Sequence, residues 1–316
     1  MFGIGKIEAK ALVQVIDKLE FLLALSREGH FGRAAEACGV TQPTLSAAIK
    51  HLEDMLGVRL VNRGSRFQGF TAEGERVLTW AQRIVADARA MRREVDGLRH
   101  GLNGHLRIAA IPTALPIIAA LTTPFRARHP QVRFTVLGRA STQILSMIEA
   151  VEIDAGLTYL DNEPLGKVKS LPLYQEDYCL ITATKTEPGQ RDHITWSEAA
   201  ALPLCLLSRD MQNRRIIDDL LGKTLTPDKI VLETDSLTVL LTHIQTGSWT
   251  SVMSRKLAET LGDLPGLVSI PLVEPVVKHL IGLVAPANEP MIPLTAALFT
   301  EARQLAKTLY GAGGHS

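Results

Sequence analysis

Residues 30–57, HFGRAAEACGVTQPTLSAAIKHLEDMLG, hold two short alanine-rich runs of helical spacing parted by one glycine. Few local structures accommodate such a stretch. Gly39 suits the left-handed residue that ends a first helix running from about Phe31 to Cys38. Thr41 can cap a second helix, and Pro43 falls in its first turn, where a missing N–H costs nothing. That helix continues to about Leu56 and stops at Gly57. Leu45, Ile49 and Leu52 share one face, which is expected to be buried. Ala34, Ala35 and Gly39 are small enough to let the two helices pack closely. The other face of the second helix carries Thr41, Gln42, Thr44, Ser46 and Lys50, hydrogen-bonding side chains of useful length. Two helices on a short glycine turn describe a helix-turn-helix. In that motif the second helix enters the major groove and its N-terminal residues meet base edges. An ordinary helical pair with a solvated face has the same spacing, so spacing alone leaves both readings open.

The flanks extend the first reading. From Ile16 the pattern is helical, with Leu19, Leu22, Leu23 and Leu25 on an apolar face that ends near Gly29; residues 1–15 read as an extension. After Gly57, VRLVNRGSRFQGFTAEG places two short apolar runs around Gly64-Ser65, a small hairpin. As a wing it would bring Arg63 and Arg66 to the phosphate backbone. Thr71 opens a helix over about 72–99. Its apolar residues Val77, Ala81, Ile84, Ala88, Met91, Val95 and Leu98 recur in alternating steps of four and three. One amphipathic helix lying on a core also carries such a stripe, but a strict two-in-seven spacing is narrow and favours pairing with the same helix of a second copy.

Gly101 and Gly104 mark a boundary, after which strand-like and helical runs alternate: 106–111, 132–138, 153–159, 177–183, 203–208, 229–233 and 279–285 as strands, with helices between and a last helix near 292–309. The alternation predicts an α/β unit with mostly parallel sheets. In such folds ligands sit at the carboxyl ends of strands, and here several strand ends carry hydroxyls. Thr113, Ser141, Thr142, Thr158, Ser208, Thr234 and Ser236 are candidates for an effector site, although each also fits a helix cap. Arg214 or His243 could neutralise a carboxylate, but each is expected to face solvent.

The N-terminal stretch FGRAAEACGVTQPTLSAAIKHLEDMLGVRLVNR, continued by FTAEGE, resembles the N-terminal signature of LysR-type transcriptional regulators. The match is dense over residues 16–80. It includes Phe31, Ala34 and Ala35, then Thr41 to Ser46, Leu52-Glu53, Leu56-Gly57-Val58, Arg63 and Thr71 to Gly74. The resemblance implies an α+β multidomain chain: a winged helix-turn-helix over 16–73, a dimerising linker helix over 74–103, and an effector-binding domain over 104–316 like a periplasmic binding protein. Within that domain, lobe I is expected over 105–174 and 277–311 and lobe II over 175–276, with two crossings forming a hinge. It implies that Gln42, Pro43 and Ser46 contact DNA, with Lys50, Arg33 and Arg63 on phosphates, and that Thr113, Ser141 and Ser208 line the effector cleft. Ala47 and Ala48 stand where the family often has long polar side chains, so base readout is expected to lean on methyl contacts or DNA shape. The implied partners are promoter DNA, a small-molecule effector, further copies of the chain up to a tetramer, and RNA polymerase. A similarity around Arg33 to members that control formate dehydrogenase genes points to a small carboxylate effector.

The remaining composition sets limits. The 316 residues carry a net charge of +1, and residues 1–103 hold 15 Lys and Arg against 12 Asp and Glu, a small excess that hints at an anion partner for the N-terminal part. Cys38, Cys179 and Cys205 form no CxxC, which together with a charged N-terminus predicts a reducing cytoplasm. Some LysR-type proteins sense oxidants with paired cysteines, so Cys179 or Cys205 offers a redox-sensing alternative, against which stands their place in apolar runs. The longest uncharged run, between Arg107 and Arg126, is broken by Pro112, Pro116 and Pro124, which argues against a membrane span. The histidines show no metal-ligand spacing, and no HExxH or GxSxG occurs, so no catalytic residue, metal or cofactor is expected. A solute-binding protein would share the C-terminal half but has no use for residues 16–99, and an architectural DNA protein would lack a sensing half.

Overall fold

The computed structural model describes residues 6–63, 67–100, 102–262, 264–287 and 290–312. Two compact units divide the chain, Met1–Arg99 and His100–Ser316.

In the first unit, α1 (Lys6–Glu28) begins well before Ile16, because its first turns hold Lys, Glu and Ala, strong helix formers without an apolar stripe. Then come α2 (Phe31–Ala37) and α3 (Gln42–Leu56). Gly39 and Gly57 adopt φ of 67° and 69°, the left-handed conformation that ends a helix. Leu45, Ile49 and Leu52 of α3 are buried against Leu22 and Leu25 of α1 and Ala34 and Ala35 of α2 in one core. Each such aliphatic side chain contributes about 1.5–3 kcal/mol by leaving water. The hairpin strands β1 (Val61–Arg63) and β2 (Phe67–Phe70) pair antiparallel, Val61 opposite Phe70; the Gly64-Ser65 turn and Arg66 lie outside the described residues.

Helix α4 (Ala72–His100) packs on this core through Leu78, Ala81 and Val85. Gly74 lets it approach: a Cβ there would collide with the carbonyl oxygen of Leu60. This corrects the expected seam. Ala81 is fully buried and Val77 half-buried within their own domain, whereas Ile84 and Met91 are exposed (43% and 60%). Ala88 is half-buried, and the side chains of Val95 and Leu98 lie outside the described residues. The stripe therefore serves two contacts in turn, the chain's own core first and an open face after it.

The second unit runs β3 (Gly104–Ala110), a 3-10 turn (Pro112–Ile117), α5 (Ile118–Arg128), β4 (Val132–Gly138), α6 (Ser141–Glu149), β5 (Ala155–Tyr159) and β6 (Val168–Glu176). It continues with β7 (Tyr178–Ala183), β8 (Ile194–Thr195), α7 (Trp196–Ala200), β9 (Leu204–Leu207), α8 (Gln212–Leu221), β10 (Ile230–Thr234), α9 (Leu237–Gln245), β11 (Ser251–Ser254), α10 (Arg255–Leu261), β12 (Leu267–Val273), β13 (His279–Pro286) and α11 (Pro293–Ala312). One sheet, ordered β4-β3-β5-β13-β6, forms lobe I. Lobe II holds β11-β7-β12-β8 and the parallel pair β10-β9, joined by a bridge between Leu204 and Thr250.

The sheets are mixed rather than mostly parallel. β3 pairs in parallel with β4 and β5, but β13 is antiparallel to β5 and β6, and β7 is antiparallel to β11 and β12. The cause is the double crossing. The chain leaves lobe I from β6 into β7 and returns from β12 into β13, so the two crossing pairs run in opposite directions. Sequence pattern missed β6, β8, α7, β11 and β12. Pro172 argues against a strand interior; it is tolerated because β6 is an edge strand whose pairing with β13 shifts register beside it.

Candidate nucleic-acid interface and effector cleft

The start of α3 is capped as its sequence requires. Thr41 Oγ1 lies 3.4 Å from the Thr44 N–H it accepts and 2.8 Å from the Thr44 hydroxyl. Thr41, Gln42, Pro43, Thr44 and Lys50 are all exposed, and Ser46 is half-buried. They form one polar surface opposite Leu45, Ile49 and Leu52. Arg33 is exposed on α2, with its guanidinium 3.7 Å from the Glu28 carboxylate. The Arg63 side chain lies outside the described residues. Glu53 belongs to the family signature, but sequence reasoning assigned it no role. Its buried carboxylate accepts the backbone N–H groups of Leu60 at 2.8 Å and Val61 at 3.1 Å, which ties the entry of the wing to the recognition helix.

In the second unit, the strand-end hydroxyls are not brought to one place. Thr113, Ser141 and Thr158 are buried near the carboxyl ends of β3, β4 and β5, and among the described residues their oxygens have no hydrogen-bond partner. Ser208 and Thr234 instead line an open cleft of roughly 680 Å³ between the lobes. Lobe I contributes Gly138, Arg139 and Gln143 to that cleft; lobe II contributes Asp210, Met211, Glu233 and Asp235 beside the two hydroxyls. Thr142 is exposed and lines a smaller adjoining hollow with Arg139 and Ser146. Ser236 caps α9 by accepting from the Val239 N–H at 3.4 Å.

Two expectations change here. Arg214 does not face solvent: it is fully buried, donating to Asp218 at 2.7 Å, the Leu207 carbonyl at 2.7 Å and Glu233 at 2.9 Å. It braces lobe II from within. His243 is half-buried on Trp249, with Nδ1 2.7 Å from the Val239 carbonyl.

A second polar cluster stands at the hinge, where no motif pointed. Glu176, at the end of β6, is fully buried and accepts the Tyr159 hydroxyl at 2.5 Å; that hydroxyl accepts in turn from Asn213 of α8 at 3.1 Å. The chain of contacts runs from lobe I into lobe II. Burial lifts the Glu176 carboxyl from 4.5 to about 7, although the hydrogen bond from Tyr159 pulls it back.

The cysteines sit apart from all of these polar surfaces. Cys179 and Cys205 are buried in β7 and β9, and burial pushes their thiols up to about 12 and about 11. β11 lies between their strands, since it pairs with β7 while Leu204 bridges to Thr250. Two strand spacings amount to roughly 9–10 Å, beyond the reach of a disulfide. Cys38 is half-buried, and desolvation raises its thiol. Among the described residues no cluster of His, Cys, Asp and Glu could hold a metal, and no helix is long and apolar enough to cross a membrane.

With this geometry in view, comparison with known families is decisive. Residues 16–75 match the model of bacterial regulatory helix-turn-helix proteins of the lysR family, and residues 99–307 match the LysR substrate binding domain. The chain belongs to the LysR family of transcriptional regulators. It is 29% identical over 205 residues to the hydrogen peroxide-inducible genes activator of Haemophilus influenzae, covering 65% of this chain and 64% of that relative. It is 25% identical over 280 residues to the DNA-binding transcriptional dual regulator OxyR of Escherichia coli, covering 87% and 90%. Among solved structures it resembles a full-length OxyR cysteine variant from Pseudomonas aeruginosa, with a TM-score of 0.73, 24% identity and coverage of 93% and 95%. This LysR-family regulator is therefore a DNA-binding protein of transcription control.

Proposed function

We propose that this regulator reads a promoter through the start of α3 and is switched by a small molecule held between its two lobes. The observation that carries the reading is the cleft at the carboxyl ends of β4, β9 and β10, bordered by both lobes and lined by Ser208 and Thr234. Near it, Thr113, Ser141 and Thr158 hold buried hydroxyls without partners, a cost that a ligand or an ordered water would relieve. Gln42, Pro43, Thr44 and Ser46 are assigned to base edges, and Arg33, Lys50, Arg63 and Arg66 to phosphates. Ile84 and Met91 supply the open apolar face for pairing with a second copy, and two such dimers build the tetramer. A ligand that prefers one lobe arrangement shifts the population of oligomer shapes, and so the DNA contacts. A small carboxylate is the effector class suggested by the sequence.

A second reading is an oxidant response, and the names of the relatives favour it over the small carboxylate. In this chain it would run through Cys179 or Cys205, and their burial requires lobe II to open before an oxidant reaches either thiol.

One experiment tests both readings. Footprints are recorded on the DNA directly upstream of the regulator's own gene, at fixed salt, with a panel of small carboxylates and separately with hydrogen peroxide. A protected region that changes length with a carboxylate supports the cleft. A change with peroxide that vanishes in Cys179→Ser or Cys205→Ser supports the thiol. A footprint indifferent to both sinks the carboxylate and the thiol assignments, and the DNA-binding reading stands without them.

A further inference from the structure

We propose that the effector is an α-amino acid, with its carboxylate on Arg139 of lobe I and its ammonium between Asp210 and Asp235 of lobe II. The inference rests on the reading of the inter-lobe cleft as the effector site, and it is carried by the charge of the cleft walls. Lobe I offers one cation. Arg139 follows β4, its backbone N–H donates to the Ala110 carbonyl, and its Nη1 donates to the Gly138 carbonyl at 2.7 Å. Those two bonds hold the guanidinium at the wall and leave its other N–H groups for a carboxylate.

Lobe II offers acids. Of its three lining carboxylates, Glu233 is compensated, by Arg214 at 2.9 Å and Arg209 at 3.5 Å. Asp210 and Asp235 have no ion pair among the described residues, and both line the cleft. They stand just past the ends of β9 and β10, adjacent parallel strands whose ends are tied by the Ser208 N–H donating to the Thr234 carbonyl at 2.9 Å.

A plain carboxylate in this cleft gains Arg139 but meets two uncompensated like charges. Those charges act as a repulsive element that discriminates against anions. A plain amine gains the aspartates and meets Arg139. A molecule with both groups satisfies both walls. Its two ends also pull on opposite lobes, so its binding favours the closed arrangement over an open one, which is the differential affinity that a switch requires. Neutral groups lie close in sequence on either side: among the described residues buried Ser141 Oγ and buried Gln212 Nε2 lack partners, Ser141 two residues from the lining Arg139 and Gln143 and Gln212 directly after the lining Met211. The roughly 680 Å³ of the cleft falls in the range of small-molecule sites.

The test uses the full-length chain in titration calorimetry with the standard L-amino acids, one at a time, and with the α-deaminated acid of each that binds. At least one amino acid is expected to bind, about tenfold or more tighter than its deaminated partner. In the double variant Asp210→Asn, Asp235→Asn that advantage disappears, and Arg139→Gln weakens both members of the pair. A deaminated acid that binds as tightly as the amino acid overturns the assignment and leaves the cleft reading intact. So does binding that the double variant does not change, because the ammonium then lies elsewhere. Binding of no amino acid also overturns it; succinate and benzoate, tested in parallel with Ser208→Trp as a block, then show whether the cleft reading stands without it.

Discussion

Glu53 and Glu176 are both buried glutamates, one in each unit, and their surroundings differ. Glu53 receives two backbone N–H donors from the start of the wing. Glu176 receives a phenol on one carboxyl oxygen while its other oxygen has no partner among the described residues, and burial holds its carboxyl up at about 7. The same contrast extends to their neighbourhoods. Among the described residues, every buried side-chain oxygen or nitrogen without a partner lies beyond residue 110, including those of Thr113, Ser141, Thr158, Tyr174 and Gln212. Among the described residues the DNA-reading unit has its buried polar side-chain atoms satisfied. The sensing unit keeps polar groups at a cost, at its hinge and along the strand ends that face the cleft, where a ligand or a lobe movement can change their state.

The largest expected effect breaks the satisfied side of this contrast. Glu53→Ala removes a charged acceptor and leaves two buried N–H groups unpaired, a loss of about 3–4 kcal/mol. Hydrogen exchange on the full-length chain checks it. The amides of Leu60 and Val61 should lose at least about a hundredfold in protection, which corresponds to roughly 3 kcal/mol. Unchanged protection would show that the wing is held by its apolar contacts instead.

Glu176→Gln probes the unsatisfied side through pH. The unfolded chain releases this proton near the ordinary 4.5, whereas the folded chain keeps it to about 7. Between those values the unfolded state binds fewer protons, so stability falls as pH rises; the gap corresponds to roughly 3 kcal/mol lost by pH 8. Below 4.5 both states are protonated and the contribution is complete. The glutamine side chain has no proton to lose, so thermal unfolding of the variant should show a flatter slope from about pH 5 to 8 and greater relative stability at the upper end. Parallel slopes for variant and wild type would mean that the hinge carboxyl is hydrated and titrates normally.

Gln42→Ala separates reading DNA from holding the fold. Gln42 is exposed at the first turn of α3, so stability should stay within about 0.5 kcal/mol. Affinity for a cognate site should fall by about 1–3 kcal/mol if the side chain meets a base edge. Equal losses on cognate and random DNA would move Gln42 from base readout to backbone contact.

The two units also differ in how much their sequences disclosed. The helix-turn-helix was legible because each local signal agreed: Thr41 as cap, Gly39 and Gly57 as left-handed stops, and Leu45, Ile49 and Leu52 on one face. Ala81 was misassigned because a two-in-seven stripe does not say which neighbour covers it, and the chain's own core took it. In the sensing unit the runs of apolar residues located most strands, but Pro172 hid β6, and nothing local reports that two crossings turn a parallel sheet into a mixed one. The rule of strand ends led to Ser208 and Thr234, which line the cleft, and equally to Thr113, Ser141, Thr142, Thr158 and Ser236, which do not. The hinge cluster was not, because Tyr159, Glu176 and Asn213 are joined only by the folded topology, and a glutamate in YQEDY gives no local sign of being fully buried.

The smallest effect sharpens the comparison most, because it predicts opposite signs for one substitution. Thr71 at the start of α4 is satisfied: its hydroxyl donates to the Arg59 carbonyl at 2.7 Å and accepts the Gly74 N–H at 2.9 Å. Thr71→Val should therefore destabilise by about 1 kcal/mol, the usual loss of a helix cap. Thr158 is buried in β5 with no partner for its hydroxyl. Thr158→Val keeps the shape, suits a strand and removes an uncompensated desolvation, so it should stabilise the ligand-free chain by about 1 kcal/mol. If that hydroxyl serves a ligand, the same variant should lose effector response in the footprint while its melting temperature rises. Denaturation of the two variants side by side decides the point. If Thr158→Val also destabilises, its hydroxyl has a partner in solution, such as a bound water, and the sensing unit is as well satisfied as the reading unit.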